Sequence, residues 1–111
     1  MEWRRHGDGN PSPKGQASMR RDVVFSVHAT KRMFERSISV DDVICVLQSG
    51  EEIEDYPNDW PYPSRLLLGW RNGQPLHVVV AENAAADGLV VVTLYEPDPA
   101  KWDSEFKRRM L

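Results

Sequence analysis

Cysteine is nearly missing from this chain: Cys45 stands alone. A single thiol makes no internal disulfide, and with no cysteine pair the spacing of a zinc set is missing too. Cys45 lies in the apolar run "VICVL", so an inert core thiol is the expectation rather than a nucleophile. No run approaches the ~18 consecutive apolar residues of a membrane span, and the N-terminus carries no apolar signal stretch, which makes a cytoplasmic location without membrane contact the expectation. Cations are also missing, from one segment in particular. Between residues 37 and 63 there is no Lys or Arg beside seven acids, Asp41, Asp42, Glu51, Glu52, Glu54, Asp55 and Asp59. Self-pairing within that block is impossible, so its acids stay solvated or meet cations from elsewhere.

The 111 residues suit one domain, and 41% hydrophobic with 28% charged residues is the composition of a soluble globular protein. The net charge of −3 counts mildly against nonspecific nucleic-acid binding, although the first third and "KRR" at 107–109 are locally basic. Residues 1–21 are punctuated by Gly, Pro and Ser without periodicity and read as a disordered extension, with residues 22–111 as a single α+β domain.

From Ser26 the pattern is helical. On a helical wheel Val27, Ala29, Met33, Phe34 and Ile38 fall on one half, while Lys31, Glu35, His28, Arg32 and Arg36 fill the other. The first half is expected to lie on a sheet, and Phe34→Ala should then cost roughly 3–5 kcal/mol. Ser39 reads as the N-cap of a second helix that Gly50 stops. "EEIEDY" is a short strand, and "PNDWPYPS" is a loop whose prolines forbid regular structure. "RLLLGW", "PLHVVVAEN" and "LVVVTLYE" supply three more strands, the first two joined by an Asn72-Gly73 turn that sets Leu68 opposite His77. The last two are apolar on both faces and should be central and covered on each side. "PDPAKWDSEFKRRM" reads as a final helix capped by Asp98. The expected layout is two N-terminal helices packed on a four-stranded antiparallel sheet, plus a C-terminal helix.

Several separated stretches carry a resemblance. "HATKRMFERSIS", "DVICVLQSGEEIEDYP", "LLLGW", "PLHVVVA" and "VVTLYEPDPAKW", in that order, resemble the bacterial domain-of-unknown-function 4258 family over residues 27 to 111. The resemblance implies a layout similar to the small ribonuclease toxins of the RelE type, with a zinc-finger antitoxin-like protein as partner.

Metal-independent RNA cleavage needs a base, an acid, and cations for the charge that builds on phosphorus. His28 and His77 are the imidazoles available for proton transfer, Arg32 is a planar cation one turn from His28, and Tyr95 is a further proton donor. Lys31 and Arg36 would touch phosphate, and Trp60, with Tyr56 and Tyr62, would stack bases. Each has a structural reading beside the chemical one. A histidine on a polar helix face is solvated, arginines there are surface charges, and loop aromatics cover a core edge. His77 alternates with Val79 and Ala81 opposite the Leu76, Val78 and Val80 face, so it needs hydrogen-bond partners once buried, and a side chain of helix one is the expected source.

A metal-independent endoribonuclease, the toxin of a toxin–antitoxin pair, is the favoured expectation, with RNA as substrate and neither metal nor cofactor. A noncatalytic protein-binding module and a small-molecule-binding domain are the alternatives. If the enzyme reading holds, His28, Arg32 and His77 must reach one phosphate.

Overall fold

A computed structural model describes residues 22–83 and 88–110. The expected N-terminal extension lies outside these residues, as does most of the "AAADG" connection. Seven elements follow in order: β1 (Asp22–Phe25), α1 (Val27–Arg36), α2 (Val40–Ser49), β2 (Glu51–Tyr56), β3 (Ser64–Arg71), β4 (Gln74–Asn83) and β5 (Gly88–Tyr95).

The strands form one sheet in the order β1-β5-β4-β3-β2. This corrects the expected four-stranded antiparallel sheet, because β1 adds a fifth strand at the edge and pairs parallel to β5, Val23 beside Leu89 and Phe25 beside Val91. Four residues running directly into a helix are too short to show a period of their own, which hid "DVVF" in the sequence. The other three pairings are antiparallel, and the Asn72-Gly73 turn, with φ of 51° and 80°, puts Leu68 opposite His77 as expected.

Ser26 joins sheet to helix. Its main-chain N–H donates to the Val91 carbonyl at 3.0 Å, its hydroxyl donates to the Val92 carbonyl at 2.7 Å, and the same oxygen caps α1 by accepting from Ala29 N–H. Val92 is the extra residue of a β-bulge, since Val79 faces Thr93 and Val80 faces Val91. The helix ends at Ser37 in the left-handed region, closed by Ile38 N–H donating to Met33 O.

Helix α1 buries a narrower stripe than the wheel suggested. Ala29 and Met33 are in the core, joined by Ile38 just past the helix, but Phe34 is 86% exposed and Val27 87% exposed. Phe34 sits about 100° round the helix from Met33, which carries it clear of a sheet touched along one line only. Helix α2 opens on a capping box between Ser39 and Asp42 and buries Val43 and Val46. Cys45 is exposed, not a core thiol, because that buried stripe turns it outward. Gly50 ends α2, where a side chain's first carbon would stand 2.5 Å from Val46 O and 3.0 Å from Leu68 O.

The sheet is covered on both faces. On one, α1 and α2 enclose Leu67, Leu76, Val78, Val80, Val91 and Leu94. On the other lies the segment 97–110, and the C-terminal helix expected there is absent. One turn forms at Asp98, whose carbonyl accepts from Lys101 and Trp102 N–H, and the chain then doubles back so that Trp102 pairs with Arg109. The Asp103 carboxylate takes the N–H groups of Glu105, Lys107 and Arg108, offering the backbone an alternative to helical bonds. Phe106, at φ 61°, completes this strap.

Candidate functional site

His77 is fully buried on the strap side. Its Nε2 is 2.9 Å from the Phe106 carbonyl, and because a carbonyl can only accept, Nε2 carries the proton. Nδ1 is then an acceptor, and the Tyr95 hydroxyl at 3.3 Å donates to it. The imidazole meets Trp102 edge-to-face at 4.5 Å between ring centres and Tyr95 at 5.2 Å. Burial pulls the His77 pKa below its ordinary value of 6.5, against the opposing hydrogen bond to Phe106, and burial likewise pushes the Tyr95 phenol up. The partners of His77 are therefore the strap and β5, and not helix one as expected.

Further along the same face, Glu54 accepts a short hydrogen bond from the Tyr56 hydroxyl and lies 4.0 Å from the Arg109 guanidinium. Burial and this carboxylate push the Tyr56 phenol up to about 12. Arg109 also rests over the Trp102 ring at 4.7 Å.

The helix side is arranged differently. His28 is exposed on α1, which packs against the face opposite His77. The fold therefore separates His28 and Arg32 from His77 by the thickness of the sheet. Tyr95 keeps company with His77, and Trp60 stands exposed in the β2–β3 loop. Arg36 pairs with Glu96 at 3.7 Å. Among the described residues the side chains of His28, Lys31 and Arg32 have no hydrogen-bond or ion-pair partner, nor does any group of three His, Cys, Asp or Glu side chains stand close enough to hold a metal. No helix among them is long and apolar enough to cross a membrane.

Arg71 anchors the helix pair to the sheet. It donates to Asp42 Oδ2 at 2.9 Å and to the Ser37 carbonyl at 2.8 Å, and lies 3.6 Å from Glu96. The Ser39 N–H, followed by Arg71, holds the Asp42 carboxyl below its ordinary range.

Arg71 has no place in the sequence reading, and Glu54 and Arg109 enter it only as members of the acidic block and of "KRR", not as site residues. Only their convergence in space marks them, though Glu54 and Tyr56, two apart on a strand, share a face by alternation. A family model described as Domain of unknown function (DUF4258) matches residues 25–96. Neither a curated protein nor a solved structure matches the chain.

Proposed function

The chain belongs to the DUF4258 family, and from that premise we propose that it is a noncatalytic protein-binding module that docks an acidic amphipathic segment of a partner on the outer face of α1. The observation that carries this is the stripe Val27, Lys31 and Phe34, spaced four and three residues apart and so aligned along one side of the helix, with both apolar members more than 80% exposed. A large aromatic side chain left in water gains nothing for folding, and beside a second apolar residue it is a ready anchor for a partner. Unpaired among the described residues, Lys31 and Arg32 supply cations along the same helix, with His28 next to Val27. Acidic groups on a partner complement them and set its register.

A photo-crosslinking residue placed at position 34 in growing cells, and a control at position 104 on the strap, test the reading. Crosslinks to a discrete protein from position 34 alone support it, once the purified pair binds and Phe34→Ala weakens that binding by about tenfold or more. Charge reversal at Lys31 and Arg32 should weaken it further, most at low salt. The reading is wrong if position 34 gives no discrete partner, or only what position 104 gives.

A second reading, the metal-independent endoribonuclease toxin with a zinc-finger antitoxin-like partner, is favoured by one group only. Glu54, Tyr56 and Arg109 put a carboxylate, a phenol and a guanidinium together, which are a base, a proton donor and a cation for phosphate. Cleavage of RNA in chelator by the purified protein, lost in Glu54→Gln, would favour this reading over the first.

A further inference from the structure

We propose that a cleft at the corner between α2 and β2 binds a small organic cation with an aromatic body. Strand β2 begins with Glu51 opposite Leu68, so Gly69 and Trp70 have no strand beside them on that edge. The strap passes across the gap, leaving a cleft of 570 Å³ with Leu68 and Trp70 on the β3 side, Ser49 at the end of α2, Glu51 at the start of β2, and Glu105 and Lys107 on the strap. That is within the ~300–1,000 Å³ usual for small-molecule sites.

Charge selects the ligand. Two carboxylates, Glu51 and Glu105, face one ammonium, that of Lys107, which sits 3.2 Å from the first and 4.0 Å from the second. The cleft therefore carries one uncompensated negative charge. It also adjoins the carbonyl end of α2, whose last turn has no basic residue to offset the helix dipole. Lys107 shows where a cation rests, and a ligand ammonium can share that pair of carboxylates.

Trp70 supplies the aromatic half. The residue is 54% exposed and its ring is held edge-to-face by Phe106 at 6.2 Å, so it offers open surface without being loose. An indole is the best neutral partner for an organic cation and also stacks on an aromatic ring. The site is independent of the α1 surface and shares no residue with it.

The experiment is a titration followed by ¹H–¹⁵N NMR on the full chain, using 2-phenylethylammonium, its neutral analogue 2-phenylethanol and the anion 3-phenylpropionate. The expected result is saturable shifts at the Trp70 indole and the Gly69 and Ser49 amides, with the cation bound about tenfold more tightly than the alcohol and the anion weakest. Trp70→Ala and Glu51→Gln, both at exposed positions, should each weaken the cation by about fivefold or more, with amide shifts confined to the cleft and the strap beside it. No saturable shift up to about 10 mM cation, equal affinity for the three probes, or unchanged binding in both variants would overturn the proposal. So would binding by an arginine-bearing peptide with none by the free amine, since the cleft would then be reading a protein side chain.

Discussion

The imidazole of His77 donates its Nε2 proton to the carbonyl of Phe106, fastening the strap to the centre of the sheet. With Tyr95 on the other nitrogen, the ring has both of its hydrogen bonds and no access to solvent. It works as a structural clasp, and His77→Ala should cost about 2–4 kcal/mol in chemical denaturation, from the lost bonds and the cavity.

The same residue sets a pH dependence. Burial holds its folded pKa below the ordinary 6.5, so the unfolded chain binds a proton before the folded one does. Its contribution is whole above pH 6.5 and is lost as the pH falls from there toward the folded pKa. Unfolding curves collected across that range should show declining stability in the native chain and a flatter profile in His77→Gln.

Phe34→Ala should leave stability within about 0.5 kcal/mol of the native chain, as a surface substitution does. Calorimetry or urea denaturation checks this. A loss near the 3–5 kcal/mol of a buried phenylalanine would instead show that something covers α1.

Arg71→Lys keeps the charge but loses the fork that reaches Asp42, Ser37 and Glu96 together. A loss of about 1–2 kcal/mol is expected, limited by the partial exposure of the partners. Asp42, whose folded pKa lies below 3.8, adds stability that is present above pH 3.8 and is lost as the pH falls through the folded value. Asp42→Asn should therefore narrow the gap between native and variant stability in strong acid.

Gly69 touches α2. A side chain's first carbon there would stand 2.4 Å from Val46 Cγ2, and a valine in a helix has little freedom to turn away. Gly69→Ala is expected to cost about 1–3 kcal/mol, and adding Val46→Ala should return part of that loss in a double-mutant cycle.

Local rules made much of this architecture readable. Ser39 as the cap of α2, Asn72-Gly73 and the alternation around His77 each depend on neighbours within a few residues, and all three appear as the sequence suggested. What failed depended on distance. Whether Phe34 or Met33 met the sheet hinged on where α1 lay across β5, and whether 98–110 coiled or doubled back hinged on Asp103 capturing three amides. The burial of His77 was legible from its strand, but its partners, 18 and 29 residues away, were not. Separation of His28 from His77 follows from the alternation once the helices are known to choose the Val78 face, and no local pattern states that choice.

The parallel pair of β1 and β5 also constrains when the molecule can assemble. A ribosome releases Asp22–Phe25 long before Gly88–Tyr95, so the first strand has no partner until almost the whole domain has emerged. Ser26 takes its two sheet bonds from Val91 and Val92, 65 and 66 positions downstream, and α1 is a ten-residue helix too short to persist by itself in water. β1 and α1 are thus tied in only after β5 has emerged, and a nascent chain halted before β5 should remain open to proteases at α1.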